Sequence, residues 1–225
     1  MRIHLEVGVA RDWWPWRPGD PARMQGGTER AAHGLAAALA RRGHLITAHG
    51  GEADGEVGGV RYLREPPAAC DVLVCVMADP PEETKASIRI AWSHAAQWPP
   101  SGAWDRVVMA SPWHAELIVR WLGDIDLRVA PMAAGLAPQA APARDRFLCA
   151  FSPDRGLHRL LAMWPALWEA FRTPLSITYD LRAVMDRHAG RPDALGERLR
   201  RIAPLLDQPG VIVHGPLREA ALGAP

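Results

Sequence analysis

Lysine is almost missing from this sequence: Lys85 is the only one, and arginine makes up the rest of the 26 basic residues. That skew reads as biased codon usage sooner than as selection for phosphate binding. An excess of either charge is missing too. The 26 basic residues face 25 acidic ones, the net charge is +1, and no global field draws the chain to nucleic acid or to an anionic membrane surface. Cysteine is scarce: Cys70, Cys75 and Cys149 sit in apolar runs. They lack the paired short spacing of a tetrahedral zinc site, so no metal is expected and they read as buried, reduced thiols of a cytoplasmic protein. No run approaches the roughly 18 to 20 apolar residues of a membrane span. The opening MRIHLEVGVA has neither the long apolar core nor the small-residue cleavage site of a signal peptide.

Tryptophan, by contrast, is plentiful, with ten residues against two tyrosines and three phenylalanines. Trp13, Trp14 and Trp16 crowd one segment beside arginines. Such a cluster is either an acceptor-binding or interfacial patch, which would allow peripheral membrane contact, or a loop held on the core by its own rings.

Hydrophobic residues make up 48% of the chain, enough for a packed core. Short apolar runs alternate with stretches of helical spacing, the signature of an α/β fold with a parallel sheet covered by helices. The first strand is expected at Ile3 to Val9, followed by a long loop ending at Gly26-Gly27. A helix follows, with Thr28 as N-cap, Glu29 in the first turn, and Ala32, Leu35, Ala36 and Leu39 on one face. Arg41, Arg42 and Gly43 close it, because glycine enters the left-handed region at little cost. Further strands are expected at Leu45 to His49, Val60 to Leu63, Cys70 to Met77, Ile88 to Ser93 and Arg106 to Ala110. Ser111 as N-cap and Pro112 as first helical residue then open a helix running to about Leu122.

An alanine- and proline-rich stretch, Ala133 to Arg144, marks a composition shift. The expected organisation is a first Rossmann-like domain over 1–136, a linker over 137–145, and a partial second Rossmann-like domain over 146–225. In that second part, strands at Phe147 to Phe151, Leu175 to Thr178 and Val211 to His214 alternate with helical segments. One carries Leu157, Leu160, Leu161 and Trp164, the other Leu195, Leu199 and Ile202. Three strands fall short of the five or six of an open doubly wound domain, so the second domain is expected to be incomplete.

Two strand-to-helix turns have the make-up of ligand sites. Gly26, Gly27, Thr28 and Glu29 lie before a helix, where glycines admit a ligand and free amides favour a phosphate or a sugar hydroxyl; a tight turn would use the same glycines. A long loop separates these glycines from the strand, and neither G-x-G-x-x-G nor a phosphate loop with Gly-Lys-Ser/Thr is present. A dehydrogenase or nucleoside triphosphatase is therefore disfavoured. The second turn, Ser152-Pro153-Asp154-Arg155-Gly156-Leu157, offers an arginine that could pair a leaving diphosphate, or simply a surface guanidinium.

The runs GGTERAAHGLAAALARRGH, after a first strand of M-R-I type, and SPDRGLHRLLAMWPAL, beyond the linker, resemble the GT-B-fold retaining glycosyltransferases, specifically the family 4-like group. The resemblance covers essentially the whole chain. It implies two Rossmann-like domains that move a hexosyl group, with retention, from a UDP-, GDP- or ADP-sugar to a hydroxyl of an acceptor glycan, lipid or small molecule. No metal or other cofactor and no oligomeric state are implied. It places Gly26 and Gly27 in the loop facing donor phosphates and acceptor, with Glu29 just inside the helix. Arg155 takes the position of a diphosphate-binding basic residue, while Ser152 replaces a second basic residue of the same turn. His94, ending Ile90-Ala91-Trp92-Ser93-His94, matches a catalytic histidine that faces the sugar.

The resemblance also shows departures. The two-glutamate motif of the donor domain does not appear before Pro225, and Pro131-Met132-Ala133-Ala134-Gly135 lacks an expected asparagine. A truncated, non-catalytic module of the same fold that binds a glycan or a partner is the alternative. His114 reads as a surface residue, and Asp124-Ile125-Asp126 as a surface turn that imitates a metal motif by coincidence.

Overall fold

The computed structural model describes residues 1–8, 27–49, 54–94, 102–131, 145–179, 181–188 and 190–214. The chain is mixed α/β and divides into two compact units, Met1–Gly135 and Leu136–Pro225.

The first unit holds an eight-stranded sheet. Its strands are β1 (Arg2–Val7), β2 (Leu45–His49), β3 (Gly55–Val57), β4 (Val60–Leu63), β5 (Ala69–Val76), β6 (Lys85–Ser93), β7 (Arg106–Met109) and β8 (Asp126–Val129). They lie in the order β3-β4-β2-β1-β5-β6-β7-β8. Every pairing is parallel except β3 with β4. Among the described residues the helices of this unit are α1 (Gly27–Arg41) and α2 (Pro112–Leu122).

β1 is buried over almost its whole length, as a central strand in a sheet covered on both faces must be. Ile3, Leu5 and Val7 form one core with Ile46, Ala48, Val60, Tyr62, Val74 and the α1 residues Ala32 and Ala36. Leu73, Cys75, Ala91, Val107 and Met109 build a second core with Ala115 and Ile118 of α2. α1 ends where Gly43 enters the left-handed region at φ 82°, with Gly43 N–H donating to Ala40 O and His44 N–H to Leu39 O. α2 starts as its sequence demands: Pro112 is its first residue and the Ser111 hydroxyl accepts from His114 N–H at 3.1 Å.

Several expectations need correction. Thr28 is not an N-cap, because α1 already begins at Gly27 and puts Thr28 in its first turn. The short strands β3 and β8 carry little apolar periodicity and were not expected. Asp126 lies in β8, not in a turn, and its carboxylate is held by Arg106 and Arg128 at 2.7 Å each. Those two guanidiniums hold the carboxyl below its usual range. No helix among the described residues is long and apolar enough to cross a membrane. Trp13, Trp14, Trp16, Val9 and the stretch 132–144 lie outside the described residues.

Among its described residues the second unit has three parallel strands, β9 (Phe147–Cys149), β10 (Leu175–Ile177) and β11 (Val211–Val213), in the order β11-β10-β9. Its helices are α3 (Leu157–Phe171), α4 (Leu181–His188) and α5 (Ala194–Ile202). Leu157, Leu161 and Trp164 of α3 and Leu195, Leu199 and Ile202 of α5 are buried, while Leu160 is only half-buried. α5 is capped by Asp193, whose carboxylate accepts from Leu195 N–H at 3.1 Å and Gly196 N–H at 3.0 Å.

Trp164 is the largest fully buried side chain among the described residues, and its Nε1–H donates to Pro209 O at 2.9 Å, which ties α3 to the turn before β11. Trp164→Ala removes that bond and leaves a large void, so urea unfolding followed by far-ultraviolet circular dichroism is expected to show a loss of about 3–5 kcal/mol. A loss under about 1 kcal/mol would mean the site collapses around the void.

Candidate functional site

In an open parallel sheet the ligand crevice forms at the carboxyl ends of the strands, where the strand order reverses. Here the reversal lies between β1 and β5, since the chain runs outward from β1 through β2 to β4 and then returns to β1's other side. At that edge β1 ends next to Gly8, whose N–H donates to Val76 O at 3.1 Å. A Cβ at Gly8 would collide with Met77 O and with Ala78, so the close approach of these two strand ends requires glycine. Met77, just beyond β5, sits at φ 51°, an uncommon conformation for a side chain of its size. Its N–H donates to Trp92 O at 3.2 Å, and its sulfur accepts from His94 N–H at 3.2 Å.

His94 follows β6 directly, and the α1 terminus is brought to the same edge. His94 Nδ1 lies 3.3 Å from the Thr28 hydroxyl, and its ring meets Trp92 edge-on at 4.6 Å between centroids. The other ring nitrogen, Nε2, is buried without a hydrogen-bond partner among the described residues. Burial first, and the neighbouring His114 second, push its pKa down to about 4. At neutral pH the ring is therefore uncharged. It presents either an N–H or a lone pair at Nε2, according to how the Thr28 hydroxyl points.

His114 was expected at the surface and is instead 4% exposed, on the first turn of α2. Its Nε2 is likewise buried without a partner among the described residues. Helical periodicity alone left the inward face of α2 open, and packing against β7 and β8 decided it. Gly27 opens α1 with open space where a Cβ would stand, so packing does not demand glycine there. Glu29 is buried in the first turn. Gly26 lies outside the described residues. The edge thus unites Thr28 with His94, and places Gly27 and Glu29 on the same helical turn.

A second polar group was missed by sequence reasoning. His4 and Glu6 alternate with Ile3, Leu5 and Val7 and face away from α1. Glu6 is 4% exposed and its carboxylate lies 2.8 and 3.0 Å from His49 Nδ1. His4 Nδ1 lies 2.9 Å from the Thr47 hydroxyl, and its Nε2 is 3.5 Å from Glu6, within ion-pair distance but without hydrogen-bond geometry. The signal was available: polar residues at alternate positions of a doubly buried strand must find partners, and the parallel register sets Glu6 opposite His49 and His4 opposite Thr47. Cys75 pairs with Glu6 on the other side, and burial, then the Glu6 charge, raise its thiol pKa.

In the second unit the turn carrying Ser152 and Arg155 is a single 3-10 turn, Pro153–Arg155, closed by Gly156 at φ 108°. Arg155 is 68% exposed, with Nε 3.6 Å from the Asp154 carboxylate. Ser152 contributes its carbonyl, which accepts from Arg155 N–H at 3.0 Å, and its hydroxyl caps nothing. The turn is braced by a residue that sequence reasoning did not single out: Arg198 of α5 donates from Nη1 to Asp154 O at 3.0 Å. Among the described residues no group of three or more histidine, cysteine or acidic side chains is arranged to hold a metal ion.

No protein-family model matches the chain, and no curated protein matches it.

The depressed pKa of His94 fixes a sign for pH dependence. As pH falls below the free value of 6.5, the unfolded chain takes up a proton that the folded chain refuses until about 4. Stability is therefore unaffected by this group above about 6.5 and declines between about 6.5 and about 4. An imidazole proton titration by NMR is expected to give a His94 midpoint near 4, and His94→Gln to make the decline in stability shallower. A midpoint near 6.5 would show the ring to be solvated.

Proposed function

We propose that the chain is a glycosyltransferase of GT-B type that moves a hexosyl group, with retention, from a nucleotide-diphosphate sugar to an acceptor hydroxyl. The first unit is the acceptor-side domain and the second the donor-side domain. The observation that carries the reading is His94: a neutral, half-buried imidazole at the carboxyl edge of a parallel sheet, braced by Thr28 from the α1 terminus, with Nε2 unpartnered among the described residues. Such a nitrogen is suited to bind a sugar hydroxyl and to stabilise charge that develops as the anomeric bond breaks. Gly27, Thr28 and Glu29 adjoin it and shape the sugar pocket, with Gly26 assigned from the sequence alone.

In the transfer, the bond from the anomeric carbon to the diphosphate oxygen breaks and that oxygen keeps the electron pair. A bond from the same carbon to the acceptor oxygen forms, and the acceptor's proton is released. In this reading Arg155, an exposed guanidinium of the second unit, pairs the departing diphosphate bidentately. No cofactor is needed. The alternative, a module that binds a glycan or partner without turnover, is favoured by one observation: Ser152, where the resemblance expects a basic residue, offers the diphosphate no charge.

Thermal unfolding of the purified chain against UDP, GDP, ADP and their sugar conjugates tests donor binding. One nucleotide at about 100 times its dissociation constant is expected to stabilise the fold by about 2.7 kcal/mol, an effect lost in Arg155→Ala. With that donor, release of free nucleoside diphosphate is expected to fall about 10²–10³-fold in His94→Ala. No shift with any nucleotide would remove the transferase reading and leave the module that binds a glycan or a partner.

A further inference from the structure

α3 and α5 enclose a surface hollow of about 240 Å3 in the second unit, lined by His158, Arg159, Ala194, Glu197, Arg198 and Arg201. Its composition is unusual for a balanced chain, since three guanidiniums face a single carboxylate. Two of the three cations have no acidic partner among the described residues: Arg159 is exposed, and Arg198 spends one donor on the Asp154 carbonyl. A guanidinium carries five N–H donors, so most of Arg198's capacity remains available. The third, Arg201, is held by Glu197 one turn earlier on α5. His158 adds a buried Nδ1 without a hydrogen-bond partner among the described residues. It lies with Arg159 in the first turn of α3, which holds no acidic residue, so the amide-rich end of that helix adds to the positive field. The α5 terminus is already occupied by the Asp193 carboxylate and adds nothing.

We infer that this hollow is a phosphate-binding site, in which Arg159 and Arg198 hold a phosphate or diphosphate group and His158 contributes a further hydrogen bond. The volume sets the class of ligand. At about 240 Å3 the hollow has room for a phosphate or diphosphate. It falls below the roughly 300–1,000 Å3 of pockets that enclose a drug-sized molecule, so a whole nucleotide sugar does not fit within it. Among the described residues Arg155 does not line the hollow, so the inference stands apart from the diphosphate role proposed for that side chain. Glu197 acts as the built-in competitor: its carboxylate occupies Arg201 and repels an incoming anion.

Calorimetric titration of the full chain with inorganic pyrophosphate at low ionic strength tests the inference, because screening by salt weakens such contacts. Saturable binding is expected, weakened about tenfold or more by Arg159→Ala and by Arg198→Gln. Glu197→Gln is expected to tighten it about two- to fivefold, a gain that misfolding cannot imitate. Saturable binding that depends on Arg159 and Arg198 is expected to persist in Arg155→Ala, since Arg155 does not line the hollow among the described residues. Absence of saturable binding, wild-type affinity in Arg159→Ala, or weaker binding in Glu197→Gln would overturn the inference. Loss of pyrophosphate binding in Arg155→Ala would overturn it as well, by placing the anion on the turn and not in the hollow.

Discussion

A parallel strand buried on both faces can carry polar side chains only if they satisfy one another, and β1 works under that constraint. Ile3, Leu5 and Val7 meet it on the α1 side by simple burial. His4 and Glu6 meet it on the other side by recruiting Thr47 and His49 from β2. An isolated carboxylate at that depth would cost several kcal/mol, and the pair of contacts from His49 offsets part of that cost. The same network fixes the β1–β2 register, because a slip of one residue would bring Glu6 opposite an apolar partner and turn Leu5 away from α1.

Once β1 is set, the carboxyl edge follows. The chain leaves β1 on one side and returns on the other, so the ends of β1, β5 and β6 lie side by side at one edge, and His94 beyond β6 meets Thr28 of α1. The backbone accommodates this at two points, the close approach at Gly8 and the left-handed Met77. Met77 then binds the His94 amide through its sulfur, while Thr28 meets the imidazole. His94 is thus positioned by three elements far apart in sequence. Its low pKa is a consequence of that enclosure, since each contact excludes water that would otherwise stabilise the charged ring.

The second unit solves a smaller problem with fewer strands. α3 and α5 bury Leu161, Trp164, Leu199 and Ile202, and their polar sides gather arginines around the turn that follows β9. The turn that sequence reasoning singled out for Arg155 is held in shape by Arg198, a residue more than forty positions away. Charge therefore concentrates where two helices meet, although the chain as a whole is nearly neutral.

Much of the scaffold was legible because it depends on local chemistry. The strands at Leu45–His49 and Val60–Leu63 and the helix from Pro112 to Leu122 stand as their apolar runs and caps dictate. β3 and β8 were not legible, being short strands held by their neighbours and not by periodicity. The same distinction runs through the candidate sites. The sequence by itself determined the α/β alternation, the Ser111 cap, the Gly43 stop and the residue types at each turn, since these follow from backbone sterics and hydrogen bonds within a few residues. Only the tertiary structure decided that Thr28 meets His94, that His114 faces inward, that Glu6 lies between two histidines and that Arg198 braces the turn at Asp154. Those pairings depend on strand order and helix packing, which bring distant residues together and remove the water between them.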